Sequence, residues 1–230
     1  MSIIRVLNED VSNRIAAGEV IERPASIVKE LLENSLDAGA TRVHVLIERG
    51  GQSLVQVLDN GHGMDKEDAL LCLEAHATSK IRDTSDIENI HTMGFRGEAL
   101  PSIASVCKFT LRTCYKDDTE GTEIRVDGGH IKNVAAIGTA KGTSIACRNL
   151  FYNMPARRKF LRTMKTEESH IHEMVLMLAL GHPTVGFELS FDGRNVINVQ
   201  PDQDRRTRTG MLLGRETVKE MLEIDHEENN

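Results

Sequence analysis

Aromatic residues are scarce. Two tyrosines, six phenylalanines and no tryptophan among 230 residues argue against a surface that grips nucleic acid by stacking bases on exposed rings. Basic charge is not in excess either: 28 Lys and Arg stand against 35 Asp and Glu, a formal net charge of −7. A chain that coats DNA with its whole surface is therefore excluded, and any phosphate contact has to be local. The four cysteines, Cys72, Cys107, Cys114 and Cys147, form no C-x-x-C pair. Neither a zinc site nor a disulfide framework is signalled, and reduced thiols are expected. No run of about 18 apolar residues occurs, and the opening residues Met1 to Asn13 carry Arg5, Glu9 and Asp10 but no apolar core of a signal peptide. A soluble, intracellular protein with no membrane partner is expected, cytoplasmic if the source is prokaryotic. Internal repeats and low-complexity tracts are absent too. So are the two common nucleotide fingerprints, G-x-x-x-x-G-K-[ST] and a G-x-G-x-x-G following a strand, which leaves Walker-type and Rossmann sites unindicated.

What is present is material for a core. Hydrophobic residues make up 40% of the chain and charged residues 27%, without a long polar tract, so folding into one large domain, or a domain with an extra piece, is expected. Arg23-Pro24 opens a helical pattern in which Ile27 and Leu31, and in the next column Val28 and Leu32, recur at i, i+4. Pro24 falls in the first turn, where its missing N–H costs nothing. The helix is expected to end near Asp37-Ala38-Gly39, with Gly39 as a left-handed cap. On another face Glu30, Asn34 and Asp37 recur at i, i+4 and i+7 and line one stripe. Residues 42–48 and 53–59, joined by Arg49-Gly50-Gly51-Gln52, read as a β-hairpin. In its second strand Val55, Val57 and Asp59 share a face, which turns Asp59 inward, and an inward carboxylate needs a partner.

Residues 66–77 resume a helical pattern through Leu70, Leu71, Leu73 and Glu74. Residues 76–97 are mostly polar and are expected as a long, partly mobile loop with a short helical piece. From Glu98, Ala99, Ile103 and Val106 give a helix face, followed by strand-like runs at 109–115, 122–126, 131–137 and 143–149. A helix at 168–180 and a hairpin of 187–191 and 195–199 around Asp192-Gly193 close the pattern. Helices together with several consecutive strands predict an α+β sandwich. Beyond Pro201 the polar stretch 204–208 reads as a linker.

Taken singly, the polar motifs are bland. Glu30 and Asn34 read as the solvated face of an amphipathic helix, Asp59 as a turn cap with Gly61 and Gly63 permitting the turn, and Lys80 as a surface residue. Gly94-Phe95-Arg96-Gly97 leads into the helix at Glu98 and so sets backbone N–H groups beside an arginine, an arrangement suited to phosphate or to a plain turn. His170, His172 and Glu173 show no third convergent ligand for a metal, and His62 reads as a tolerated loop residue. What is specific is the joint order of E-L-L-E-N-S-L-D-A, D-N-G-H-G-M, A-T-S-K-I, G-F-R-G-E-A-L and Gly142-Thr143.

On those motifs the sequence resembles the GHKL ATPase superfamily. The runs N-R-I-A-A-G-E-V-I-E-R-P (13–24) and N-L-F-Y-N-M-P-A-R-R-K-F-L (149–161) narrow the resemblance to the MutL family of DNA mismatch-repair proteins, over about the first 200 residues. The resemblance implies a two-layer α/β sandwich of the Bergerat type, its mixed, mostly antiparallel sheet covered by helices on one face. It implies ATP and Mg²⁺ as cofactors, with Glu30 the general base that orients water against the γ-phosphate and Asn34 the Mg²⁺ ligand. One helical turn separates the two, and positioning is expected to contribute more than the basicity of a Glu. Asp59 is implied as the acceptor for the adenine amine, supported by Thr143, with Gly61, Gly63 and Met64 beside the nucleotide. Thr78, Ser79 and Lys80, then Gly94, Phe95, Arg96, Gly97, Glu98, Ala99 and Leu100, are implied as the lid and phosphate cradle. ATP would order that lid and so switch dimerisation with a second copy, coupling mismatch recognition by a MutS-type partner to later repair factors.

Arg157, Arg158, Lys159 and Arg162 are the best basic patch for weak, non-specific DNA contact, with a solvated or ion-paired helix start as the alternative. The organisation expected is an ATP-binding domain over 1–203, including an N-terminal arm 1–20, and then at 204–230 a linker and the start of a ribosomal-protein-like domain. The family resemblance implies that the second domain supplies a lysine to the γ-phosphate; with the sequence ending barely inside that region, a fragment is expected here, one that hydrolyses ATP weakly and carries no nuclease motif. Two rivals remain. A GHKL-type phosphotransfer kinase needs a phosphoacceptor histidine on a partner or a preceding helical domain, and neither is visible; a nucleotide-independent DNA-binding or scaffold module would be indifferent to ATP.

Overall fold

In strand β1 (Arg42–Glu48) the alternate residues Val43, Val45 and Ile47 are buried while Arg42 and Glu48 are exposed, the period-two signature of a sheet with one covered face. The alternation recurs in the first part of β3 (Lys108–Cys114), while β2 (Leu54–Asp59), β4 (Gly121–Asp127), β6 (Gly142–Arg148) and β7 (Gly186–Phe191) bury consecutive residues, and β5 (His130–Ile137) and β8 (Arg194–Val199) are the more exposed rims. The eight strands form one sheet in the order β5-β4-β3-β6-β2-β1-β7-β8. Every neighbouring pair is antiparallel except β1 with β7, so the sheet is mixed and mostly antiparallel, as expected. The computed structural model describes residues 5, 21–80, 93–94 and 97–222. The expected arm, apart from Arg5, most of the polar loop, and Phe95 and Arg96 lie outside the described residues.

Helices cover one face. Helix α1 (Pro24–Asp37) buries Ile27, Val28, Leu31 and Leu32, and it ends as expected, with Gly39 at φ +69° donating to the Leu36 carbonyl at 2.9 Å. Beside it lies α5 (Met164–Gly181), which buries Ile171, Val175 and Ala179. It starts earlier than the apolar pattern predicts because Thr163 caps it, accepting from Thr166 N. Under β3 and β4, α3 (Ala99–Ser105) contributes Ile103 and Ala104. Two short helices complete this part of the chain, α2 (Lys66–Leu71) and α4 (Pro155–Phe160). Helix α2 stops well short of the expected residue 77. Leu70, Cys72 and Leu73 still pack against the core, but Glu74, Ala75 and His76 are all exposed, so no apolar face rewards turns beyond Leu73.

The stretch 204–208, read from its polarity as a linker, opens helix α6 (Arg205–Leu213), which is followed by α7 (Arg215–Glu220). Asp204 caps α6 by accepting from Thr207 N at 2.9 Å. Arg208 is fully buried, and its guanidinium donates to the carbonyls of Ala179, His182, Pro183, Val185 and Gln200 and to Gln203 Oε1. Polarity here marks a buried hydrogen-bond hub and not a solvated tether. Replacing Arg208 with Met keeps bulk but leaves those carbonyls unpaired in the interior. A loss of about 3 kcal/mol is expected, read as a lowered urea midpoint, whereas an exposed linker arginine would change stability negligibly.

Candidate nucleotide site

The covered face of the sheet changes character at one end. Across neighbouring strands the aligned residues Ile124, Leu111, Ile145, Val57 and Val45 form an unbroken apolar row. One step along each strand pair the row becomes Thr122, Thr113, Thr143 and Asp59, before Val43 restores the apolar character. Asp59 thus faces the helix layer, as its alternation with Val55 and Val57 requires. Its Oδ2 accepts from Ser35 Oγ at 2.9 Å, and its Oδ1 accepts from Gly61 N at 2.9 Å. Burial pushes the carboxyl above its ordinary value, and the hydrogen bonds from Gly61, Ser35 and Thr143 pull partly against that shift.

Two supporting residues escaped the sequence reading. Ser35 sits on the apolar stripe of α1, one turn after Leu31, whose carbonyl its hydroxyl also meets at 3.0 Å. Thr113 is completely buried; its Oγ1 accepts from Met64 N at 2.8 Å and lies 3.2 Å from the Gly142 carbonyl and 3.1 Å from Thr143 Oγ1. The usable signal in both cases was a polar residue at a position whose period predicts an apolar one.

The glycines of the turn serve the chain's own packing. A Cβ on Gly63, at φ +66°, would lie 2.0 Å from the Cys114 carbonyl oxygen, and one on Gly61 would lie 2.8 Å from that of Ala38. Met64, besides its bond to Thr113, borders a separate cavity of about 240 Å³ together with Asp65, Glu120 and Thr122.

On α1 the predicted stripe divides. Lys80 Nζ reaches Asn34 Oδ1 at 3.0 Å and Asp37 Oδ2 at 2.6 Å, joining two of the three residues. Asp37 Oδ1 accepts from Met93 N at 3.3 Å. Glu30 stands one turn earlier, 3.6 Å from Lys29 Nζ, and borders a cleft of about 350 Å³ between α1 and α5 with Arg23, His170 and Glu173. The oxygens of Asn34 and Asp37 already face a cation, the Lys80 ammonium. Hard oxygen donors of this kind suit Mg²⁺.

Thr78 Oγ1 accepts from Lys80 N at 3.1 Å, and Ser79 lies between them. Gly97, at φ +63°, passes so close to the 77–80 segment that a Cβ there would sit 2.5 Å from the Ala77 carbonyl oxygen. Gly94 lies near Lys80 Nζ. Glu98, at the start of α3 with Ala99 and Leu100, pairs with His76 at 2.6 Å. The predicted cradle segments therefore converge on Lys80 and Ala77, with Phe95 and Arg96 outside the described residues.

The basic patch is not uniform. Arg157 is half-buried, donating to the Ile21 carbonyl at 3.3 Å and lying over the Phe151 ring, while Arg158, Lys159 and Arg162 are exposed. Among the described residues no group of three His, Cys, Asp or Glu side chains could hold a metal, and the four cysteines are free. No helix of the described residues is long and apolar enough to cross a membrane.

Residues 22–151 match the family described as Histidine kinase-, DNA gyrase B-, and HSP90-like ATPase. The chain is 53% identical over 224 residues to the DNA mismatch repair protein MutL of Syntrophotalea carbinolica, covering 97% of this chain and 36% of that protein. It is 52% identical over 225 residues to the MutL of Anaeromyxobacter sp. strain K, covering 98% of this chain and 37% of that one. The chain thus spans little more than a third of the curated relatives it matches. Among solved structures, the Aquifex aeolicus MutL ATPase domain complexed with ADP superposes with a TM-score of 0.70 at 36% identity, covering 84% of this chain and 70% of that one.

The polar row makes two stability predictions. Thr113→Val leaves the Met64 N–H and the Gly142 carbonyl without their partner, and about 1–3 kcal/mol should be lost in urea unfolding. For Asp59 the sign is set by its raised carboxyl. Above the ordinary carboxylate value the native state holds its proton more tightly than the unfolded chain, so stability falls as pH rises through that window. Asp59→Asn removes this cost; its thermal midpoint should exceed that of the unsubstituted protein at neutral pH, with the gap closing as pH falls toward about 4 and levelling off below it. A gap independent of pH would contradict the assignment.

Proposed function

Because the chain belongs to the MutL family and matches its ATPase domain, we propose that it binds ATP with Mg²⁺ and hydrolyses it as the nucleotide switch of DNA mismatch repair. The observation that carries this reading is the Asp59 carboxylate, held at the polar end of an otherwise apolar sheet face by Ser35 and Gly61. An acceptor fixed there recognises an amine edge, and adenine presents one where guanine presents a carbonyl. Thr143 stands beside it on β6, aligned with Asp59 across the strand pair, and Thr113 fixes the Thr143 hydroxyl.

From the adenine end the site runs along α1. Asn34, adjacent in sequence to Ser35, offers its carboxamide oxygen to Mg²⁺. Bound there, the metal supplies charge neutralisation for the phosphates and a template for their geometry. Glu30, one turn earlier, orients the attacking water and accepts its proton. Its cleft toward α5 and its modest exposure suit a group that must meet water from solvent. Lys80 and the backbone near Gly94 and Gly97 hold the phosphate oxygens.

The relatives' name, DNA mismatch repair protein, supports the biological role. ATP-dependent pairing with a second copy, engagement of a MutS-type partner and weak DNA contact belong to the same proposal. The DNA contact falls to Arg158, Lys159 and Arg162, which are exposed, whereas Arg157 is engaged within the fold.

Calorimetric titration with ADP and ATP in Mg²⁺ tests the binding half. Asp59→Ala should weaken both nucleotides at least about tenfold, the scale of one charged hydrogen bond, and undiminished affinity would refute the adenine assignment. Glu30→Ala should leave binding within about twofold while abolishing phosphate release. Equal loss of binding and turnover would move Glu30 from catalysis to nucleotide binding.

A further inference from the structure

The Lys80 ammonium occupies an oxygen pair that includes Asn34, the residue proposed to hold Mg²⁺. Its Nζ lies 3.0 Å from Asn34 Oδ1 and 2.6 Å from Asp37 Oδ2, and the Lys80 and Asp37 side chains are only 19% and 14% exposed. An ammonium has donors and no acceptor, so Asn34 must present its oxygen and not its NH₂ to Lys80. The orientation a metal ion would require is thereby already imposed. Asp37 spends its second oxygen on Met93 N, which fixes the carboxylate that holds Lys80. Met93 and Lys80 arrive from opposite sides of positions 81–92, so Asp37 gathers two separate stretches of chain onto the end of α1.

Building on the Mg²⁺ reading of Asn34, we infer that Lys80 is the resident cation of the Asn34–Asp37 pair, and that Lys80 and Mg²⁺ occupy it in turn. Two cations repel at this separation, so metal entry expels the ammonium. Lysine suits the exchange: its compact charge rides on a flexible four-carbon stem, and once displaced it is free to meet the phosphate oxygens that arrive with the metal. Asp37 holds Lys80 on Asn34 until metal arrives and then presents the vacated carboxylate oxygen to the ion.

The test uses metal alone, so that it does not depend on nucleotide binding. Mn²⁺ is titrated into the nucleotide-free protein, with loss of the free-ion paramagnetic resonance signal as readout. Lys80→Met should bind Mn²⁺ roughly tenfold or more tightly than the unsubstituted chain, the scale of losing a charged competitor, and adding Asn34→Ala should abolish the gain. Lys80→Met binding no tighter, or a gain that survives Asn34→Ala, overturns the inference.

A second arm keeps the native sequence at Lys80. The rate at which a small amine-acylating reagent modifies Lys80, mapped by mass spectrometry, should rise with Mg²⁺ over NaCl at matched ionic strength. It should be high without metal in Asp37→Asn. A rate indifferent to Mg²⁺, or unchanged in Asp37→Asn, counts against the exchange. ADP binding measured on the unsubstituted chain and on Asp59→Ala separates failure of this inference from failure of the nucleotide assignment, since the former leaves ADP affinity and its dependence on Asp59 intact.

Discussion

A carboxylate facing the covered side of a sheet is expensive unless its oxygens are paired, and the arrangement around Asp59 follows from that constraint. Both oxygens are met, one by a helix side chain and one by the backbone of the following turn, yet burial still lifts the carboxyl above its ordinary value. The site is therefore held under residual electrostatic cost, which a ligand donating a further hydrogen bond to the ionised form would relieve. That is the thermodynamic content of preorganisation: the fold meets the cost of placing the acceptor, and the ligand collects the benefit on binding.

The surrounding geometry serves the same end. Thr113 has no solvent contact, yet it ties together Met64, Gly142 and Thr143, so three segments of the polar end are joined through one hydroxyl. Gly142, at φ +102°, lets β6 approach so closely that a Cβ there would lie 2.2 Å from the Asp59 carbonyl oxygen. These residues are structural in their contacts and functional in their consequence, because each removes a degree of freedom from the acceptor. At the other end of the site the Lys80 ammonium plays the corresponding part for α1, orienting Asn34 while occupying it. One pole is a carboxylate held by Ser35 and Gly61, the other a pair of oxygens bridged by a cation.

Much of this was legible in the sequence. Alternation through Val55 and Val57 predicts that Asp59 points inward, and the register confirms it. Gly39 ends α1 where expected and the hairpins follow from period, while the covering of one face by helices was implied by the family resemblance. Three things were not legible, each for a physical reason. Helix α2 carries a helical pattern past its true end because pattern does not record that Glu74, Ala75 and His76 are exposed. The α6 start looked like a linker because polarity cannot distinguish a solvated arginine from Arg208, whose partners are backbone carbonyls and leave no trace in composition. The division of the Glu30, Asn34 and Asp37 stripe depends on Lys80, 43 residues from Asp37 along the chain, and no helical periodicity reports so distant a partner. Ser35 and Thr113 lie between these cases: each breaks an apolar period, a signal that was present and not used.

The central claim is that Asp59 reads the amine edge of the base, and base selectivity tests it most directly. Dissociation constants for ADP and for inosine diphosphate, which carries a carbonyl where adenine carries the amine, are to be compared in the unsubstituted chain and in Asp59→Asn, whose amide can donate as well as accept. The account predicts at least about a tenfold preference for ADP in the unsubstituted protein, lost or inverted in Asp59→Asn. Equal affinity for the two nucleotides, or a preference that Asp59→Asn leaves unchanged, would contradict it.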